Sequence, residues 1–179
     1  MMAMLGMSER RRYWLSLAAL VVVLPAAIVV NSWDSLSEWR RSRLDMPIAV
    51  ARGATQAYAG AQWQLSGLTR LPGTTPGTTL IVAEFDAVVD DPALLQAGPC
   101  AVALTDDKGR RWLPAFLPGR AVRQGRPAAA DKPRCYGLAR AEKGKTIAMA
   151  ETFTVPESAA GLALSVSIGG AKPAYLLFR

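Results

Sequence analysis

Two patterns of hydrophobic and polar positions divide the chain. Residues 13–30 form a run without a single charge, whereas from Gln62 onwards apolar and polar residues alternate in short stretches. At about 1.5 Å of rise per residue, a helix of this length spans roughly 27 Å, close to the ~30 Å hydrocarbon core of a bilayer. Alternation with a period of two is typical of β-strands. The pattern therefore predicts one membrane-spanning helix followed by a β-sheet domain.

The residues at the two ends of the apolar run predict its orientation. Arg10, Arg11 and Arg12 directly precede the run. Trp14 and Trp33 lie near its two ends, where aromatic side chains anchor a helix at the membrane interface. Lys and Arg beside a span favour the cytoplasmic side of the membrane. We therefore expect these five residues to form the membrane anchor, with the N-terminus inside the cell.

The predicted organisation is that of a signal-anchored membrane protein. Residues 1–12 are the cytoplasmic N-terminus, residues 13–31 are the single transmembrane helix, and everything that follows is extracytoplasmic. A cleaved signal peptide is the competing interpretation. It would need an apolar region of about 7–15 residues followed by a small-x-small cleavage site. This run is longer, and no such site follows Val30.

Residues 32–61 are predicted to be a juxtamembrane helix and a linker. The stretch 32–44 contains good helix formers, which either continue the membrane helix, lie on the bilayer surface or form a solvated stalk. Met46-Pro47 is expected to end the helix, because a residue before proline avoids the α region. Residues 49–60 are then a linker or a short first strand.

Residues 62–179 are predicted to form an extracytoplasmic β domain. The clearest strand is 78–89, where Ile81 and Phe85 belong to an apolar face while Glu84 and Asp86 lie on the opposite face. Seven or eight such strands, separated by turns, predict an all-β, immunoglobulin-like antiparallel β-sandwich, with a small barrel as the alternative. The other strand-like stretches are 63–68, 101–105, 110–113, 146–155, 162–168 and 174–178.

The two cysteines are predicted to form a disulfide. Cys100 and Cys135 each open a strand-like stretch, and an even pair in an extracytoplasmic domain is typical of a disulfide. Closing a loop of this length would contribute roughly 3–4 kcal/mol in the chain-entropy model. Two buried free thiols are the alternative.

A basic stretch lies between the cysteines. Residues 118–134 are rich in Gly, Pro and Ala, which predicts a long loop, and residues 108–145 contain eleven Lys or Arg against two acids. Such a loop either docks on anionic headgroups, cell-wall polymers or an acidic partner, or is a mobile, solvated connection. The candidate anion or partner contacts are Arg120, Arg123, Arg126, Lys132 and Arg134.

Composition argues against the commonest catalytic chemistry. The chain has no histidine, the usual general base and metal ligand, and two cysteines cannot make a four-ligand zinc site. No nucleophile elbow, phosphate-binding loop or dinucleotide-binding motif is present. The pairs Asp90-Asp91 and Asp106-Asp107 lack a calcium-loop signature. We therefore predict a protein that is not an enzyme, with no catalytic or metal residues and no cofactor.

Three stretches carry a resemblance to a known family. They are the hairpin 101–114, with the pattern x-L-x-D-x-x-G-x-x-[WY], the tetrapeptide Phe153-Thr154-Val155-Pro156, and the strand 162–168. Over residues 62–179 the chain resembles a bacterial extracytoplasmic domain family of unknown function, as found in secreted antigens and envelope lipoproteins. The resemblance implies an immunoglobulin-like sandwich in the cell envelope without established catalytic residues, and with it a bacterial inner membrane as the location of the anchor. The stretch 118–134 departs from the family pattern.

The sequence thus predicts a single-pass envelope protein whose β-sandwich is a non-enzymatic interaction or accessory module. Its expected partners are the lipid bilayer, through residues 13–31, and another envelope protein, with no nucleic acid. One alternative is a domain that binds or senses a small ligand. The other is an envelope enzyme with an unrecognised site.

Overall fold

A computed structural model describes residues 9–42, 44–116 and 119–179 of the chain. Two compact units are present, one ending at Ser42 and the other comprising the rest of the chain. The first unit contains the helix α1 (Glu9–Ser42), which includes Pro25. Within α1, the segment Arg11–Val30 has a mean hydropathy of 2.4 and no buried residues, so its length and composition make it a candidate membrane span.

The helix confirms the predicted apolar N-terminal element and extends it to Ser42, so residues 32–42 continue the same helix. Among the predicted anchors, Arg11, Arg12 and Trp14 are exposed. The side chains of Arg10 and Trp33 lie outside the part of the chain that the structure describes.

The second unit contains two β-sheets. The five-stranded sheet has the order β1-β9-β8-β5-β6 and the four-stranded sheet has the order β2-β3-β4-β7. The strands are β1 (Met46–Val50), β2 (Thr55–Tyr58), β3 (Ala61–Pro72), β4 (Thr78–Val89), β5 (Cys100–Thr105), β6 (Arg111–Trp112), β7 (Thr146–Pro156), β8 (Ala163–Ile168) and β9 (Ala174–Phe178).

The inward faces of both sheets form one core. In β4 the alternation places Ile81 and Phe85 inside with no exposed surface, as the sequence pattern predicts. Phe85 packs against Trp63 of β3, with the ring centroids 6.4 Å apart, and the same cluster includes Leu104 and Val166 of the opposite sheet. This shared core confirms the predicted two-sheet β-sandwich.

Two predictions about the sandwich need correction. The strands β1 and β2 lie within residues 32–61, so the β domain starts well before the predicted boundary at Gln62. The pairing of β1 with β9 is also parallel, whereas every other described strand pair is antiparallel. The parallel pairing joins Val50 to Phe178 near the C-terminal end of the domain, a contact that no local pattern reveals. In contrast, β2 pairs with its neighbour in sequence, β3.

The stretch 118–134 is not the simple loop that was predicted. Pro118 lies outside the described residues, and the remainder contains two short helices, α3 (Arg120–Gly125) and α4 (Pro127–Ala130). Proline is compatible with the first turn of a helix, where its missing N–H needs no partner. Val122 and Ala129 are buried in a second, smaller cluster with apolar residues of the four-stranded sheet: Leu80, Val82 and Ala150. Burial of these residues holds the helices in place despite the breakers around them.

Three further short helices connect the strands in the described part of the chain, and one of them is a 3₁₀ helix (Gly169–Ala171) between β8 and β9. The helix α2 (Pro92–Leu95) follows β4, and Asp91 caps its N-terminus by accepting a hydrogen bond from the Ala93 N–H at 3.0 Å. A 3₁₀ helix (Cys135–Arg140) follows the two helices of the basic stretch and places Leu138 in the main core.

Candidate functional site

The basic segment 119–134, here called the cover, lies over the outer face of the four-stranded sheet. Glu84 of β4 projects towards it and is only 8% exposed. Its Oε1 accepts a hydrogen bond from Lys132 Nζ at 3.0 Å, and its Oε2 pairs with the guanidinium of Arg126. Burial of Glu84 opposes its ionisation, but the hydrogen bonds and charges of Lys132 and Arg126 outweigh this, so the pKa of Glu84 lies below its ordinary value.

A second carboxylate fastens the cover at the edge of the sheet. Glu151, on the inward side of β7, is 3% exposed. Its Oε2 accepts hydrogen bonds from Nε and Nη2 of Arg134 at 2.8 and 2.6 Å, while its Oε1 accepts the Cys135 N–H at 3.1 Å. A single carboxylate therefore holds an arginine side chain and the neighbouring backbone, as charge-assisted, multiply bonded pairs do.

The chain crosses the free edge of β7 on its way to and from the outer face of the four-stranded sheet. The Ala150 N–H donates to the Pro133 carbonyl at 3.2 Å, and the Thr152 carbonyl accepts the Ala115 N–H at 2.7 Å. The end of the cover and a segment before it thus satisfy backbone groups that an edge strand would otherwise expose. The crossing carries the chain from the outer face of the sheet to the 3₁₀ helix Cys135–Arg140.

The predicted disulfide is confirmed between Cys100 and Cys135, with the Cα atoms 5.5 Å apart. Cys100 begins β5 of the five-stranded sheet, whereas Cys135 directly follows the cover. The bond therefore ties the end of the cover to the opposite sheet.

Two aromatic side chains stand out beside Arg134. Phe116 is 87% exposed and Tyr136 is 73% exposed. The Phe116 carbonyl accepts a hydrogen bond from Arg134 Nη1, and the Arg134 guanidinium lies 5.8 Å from the centroid of the Tyr136 ring. We call Phe116, Arg134 and Tyr136 the patch. Neither aromatic is among the site residues predicted from the sequence, where their proximity to the cover and to Cys135 is the signal that could identify them.

Charge is unevenly distributed over the second unit. Residues 108–145 carry a net charge of +9, whereas the rest of the unit carries nine acids against five Lys or Arg. Within residues 44–116 and 119–179, four cations of the basic stretch form ion pairs: Arg110, Arg126, Lys132 and Arg134. The other seven are exposed without a carboxylate partner among those residues: Lys108, Arg111, Arg120, Arg123, Arg140, Lys143 and Lys145.

The five predicted anion contacts consequently fall into two groups. Arg126, Lys132 and Arg134 are engaged by carboxylates of the sheet. Arg120 and Arg123 are exposed on α3. The basic stretch is therefore partly structural, and only the second group is fully available to an external anion.

Asp106, one of the aspartates considered as calcium ligands, already has partners. Asp106 accepts hydrogen bonds from the N–H groups of Lys108 and Arg110 at 3.1 and 2.9 Å and pairs with the Arg110 guanidinium at 2.7 Å. Desolvation of Asp106 is outweighed by these contacts, and its pKa lies below the ordinary value. In the described part of the chain, no cluster of three or more His, Cys, Asp or Glu could hold a metal ion.

A cavity of about 450 Å³ adjoins the disulfide. It is mainly apolar and falls within the size range of small-molecule sites. Its walls include Leu95, Pro99, Cys100, Cys135, Tyr136 and Leu138.

The fold and site together define a β-sandwich domain that carries a disulfide-tethered basic cover. No protein-family model and no curated protein matches the chain. Among solved structures it is similar to the yjhA protein of Bacillus subtilis, with 10% identity, a TM-score of 0.45 and coverage of 72% of this chain and 97% of that one.

Two further solved structures are similar to the chain. An uncharacterised β-sandwich protein of Clostridium difficile has 10% identity and a TM-score of 0.46, with coverage of 76% of this chain and 94% of that one. A candidate lipoprotein of Staphylococcus aureus has 11% identity and a TM-score of 0.44, with coverage of 73% and 90%. These values are too low to transfer any property to this chain.

Proposed function

We propose that the chain is a single-pass protein of the bacterial inner membrane whose second unit is an extracytoplasmic interaction module without catalytic activity. In this proposal Arg11–Val30 spans the membrane and the N-terminus lies in the cytoplasm. The exposed apolar surface of this helix supports the span. The Cys100–Cys135 disulfide supports an oxidising compartment for the second unit.

The patch is the observation that carries the interaction role. Large side chains as exposed as Phe116 and Tyr136, beside an arginine, have the composition of binding surfaces, where aromatic residues and arginine are enriched. Glu84 and Asp106, whose pKa values are lowered, hold cations of the fold itself. These carboxylates thus have structural partners and lack the raised pKa that a general acid needs.

We also assign the sandwich to the immunoglobulin-like type. The order in which the chain visits the two sheets supports this assignment: β3 and β4 belong to one sheet, β5 and β6 to the other, β7 to the first, and β8 and β9 to the second. Repeated crossing between sheets is typical of the Greek-key connections of such sandwiches.

Reporter fusions test the topology. Alkaline phosphatase fused after Arg179 should be active in a bacterial host, because that enzyme folds only outside the cytoplasm, while a cytoplasmic reporter at the same site should be inactive. The reverse pattern would contradict the proposed orientation. Intact-mass analysis should show a retained N-terminus, and loss of about the first thirty residues would indicate a cleaved signal peptide instead.

The cavity beside the disulfide favours a second candidate function, the binding of a small apolar ligand. Its volume and apolar lining are the supporting observations. A bound ligand should raise the melting temperature of the wild type and have less effect on Gln96→Trp, in which an exposed residue at the cavity is enlarged. An equal shift in both proteins would argue against this cavity as the site.

A further inference from the structure

We propose that the patch and the unpaired arginines of α3 dock the second unit onto an anionic phospholipid surface. This inference rests on the proposed membrane anchoring and names the partner of the same surface. Its structural basis is the juxtaposition of Phe116 and Tyr136, both largely exposed, with a stretch that carries seven exposed cations without carboxylate partners in the described residues.

The distribution of the cations favours a lipid surface over a shaped ligand. The seven cations are spread along the chain from Lys108 to Lys145, and none of them lines the cavity beside the disulfide. A membrane containing anionic lipids presents a broad negative field, which attracts basic residues by about 1 kcal/mol each without requiring a fixed geometry. Such a surface attracts a protein through the net charge of the exposed face, and the cations need not point to a common site.

The aromatic side chains supply the second component of interfacial binding. Aromatic rings are enriched at the headgroup level of bilayers, and stable peripheral binding usually combines an apolar contact with basic residues. Phe116 and Tyr136 provide the apolar contact here, with Leu113, 70% exposed, three residues before Phe116. Arg134, which Glu151 holds, donates a hydrogen bond to the Phe116 backbone carbonyl and lies 5.8 Å from the centroid of the Tyr136 ring, so the patch is positioned before it meets a membrane.

The short connection between α1 and the second unit also favours a lipid surface as the partner. Only residues 43–45 separate α1 from β1, so a bilayer crossed by α1 is always available to the second unit at high effective concentration. Weak attraction to lipid headgroups is sufficient for docking under these conditions, whereas a soluble acidic protein has no such advantage.

Hydrogen exchange of the full-length protein in lipid nanodiscs tests this proposal. One nanodisc contains phosphatidylcholine alone, and the other contains phosphatidylcholine and phosphatidylglycerol in equal amounts. Peptides covering 113–123 and 132–140 should exchange more slowly with phosphatidylglycerol, while peptides of β4 should not change. The difference should decrease as salt rises, because the Debye length falls from about 10 Å at 0.1 M to about 3 Å at 1 M.

Two variants separate the charge from the aromatic contribution. R120Q/R123Q should lower the ratio of docked to undocked second unit about thirtyfold. This ratio is obtained from the slowing of hydrogen exchange. F116S/Y136S should lower it as well while leaving the exchange of the core strands unchanged. K172Q/R179Q is the control, since it removes the same charge from exposed residues outside the basic stretch and should retain the binding.

The result for the apolar helix separates the two proposals. If peptides within 13–30 are protected in both nanodiscs but phosphatidylglycerol does not slow exchange at 113–123 and 132–140, lipid docking is refuted while anchoring stands. Unprotected peptides within 13–30 would instead refute the anchoring on which the inference depends. Slowing by added polyglutamate but not by phosphatidylglycerol would also overturn lipid docking, in favour of an acidic protein partner.

Discussion

The cover contains two kinds of basic residue that look alike in the sequence. Arg126, Lys132 and Arg134 contact carboxylates of the four-stranded sheet, whereas Arg120 and Arg123 extend from α3 without such partners in the described residues. The difference lies in the sheet, because Glu84 and Glu151 are buried under or beside the cover and need cations. A basic stretch can therefore serve the fold and remain available for binding at the same time.

Among the single-site tests, removing the disulfide should lower the unfolding free energy most, because it releases the covalent hold on the end of the cover. C100A/C135A is expected to lose roughly 3–4 kcal/mol of unfolding free energy in the chain-entropy model. Chemical denaturation of the full-length protein in detergent micelles measures the loss. Free thiols in protein taken from the envelope, detected by labelling, would contradict the disulfide itself.

Breaking the clamp at Glu151 should have the next largest effect. Glu151→Ala leaves the Arg134 guanidinium, whose side chain is 19% exposed, and the Cys135 N–H without their acceptor. Removing one partner of a buried ion pair costs about 3 kcal/mol. Glu157→Ala, which changes an exposed carboxylate just after β7, is the control and should remain close to the wild type. Equal losses in the two variants would show that the clamp is not structural.

The Glu84 cluster should give a smaller effect with a defined pH dependence. Glu84→Gln is expected to lose about 1–2 kcal/mol at neutral pH, because Arg126 and Lys132 retain partial solvent exposure. The lowered pKa stabilises the folded state above the ordinary value of 4.5, and this stabilisation is lost as pH falls through the folded-state pKa.

Denaturation midpoints measured between about pH 3 and pH 6 test the sign of this linkage. The wild type should lose more stability than Glu84→Gln as the pH falls across this window. Parallel curves would mean that Glu84 has the same pKa in the folded and unfolded states. Glu142→Gln, at an exposed position outside the cluster, should follow the wild type.

The unpaired arginines should give the smallest effect on stability. R120Q/R123Q is expected to remain within about 0.5 kcal/mol of the wild type, since exposed charges contribute little to folding. Thermal or chemical unfolding of the full-length variant provides the measurement. A loss of several kcal/mol would place these arginines in the structural group.

The local pattern of apolar and polar residues was sufficient to predict the strands in which the two types alternate regularly. The strand 78–89 and its inward residues Ile81 and Phe85 are found as predicted, as is the disulfide between Cys100 and Cys135. These features depend on side-chain periodicity and residue type, which the sequence displays directly.

The features that the sequence did not predict depend on contacts between residues that are far apart in the chain. Glu84 fits the solvent-facing side of a strand when β4 is considered alone, and only the return of the chain 42 residues later, at Arg126, buries it. The parallel pairing of β1 with β9 joins opposite ends of the domain for the same reason. Among the predicted site residues, the sequence therefore identified the cations but could not distinguish those that hold the cover from those that remain exposed.

The most direct test compares two variants with the same change in charge. R126Q/R134Q and R120Q/R123Q each remove two positive charges from the basic stretch, and their unfolding free energies can be measured in one denaturant series. The account predicts a loss of about 3 kcal/mol or more for R126Q/R134Q, since Glu151 is left buried without its cation, and a change within about 0.5 kcal/mol for R120Q/R123Q. Equal losses in the two variants would contradict the division of the cover into structural and exposed cations.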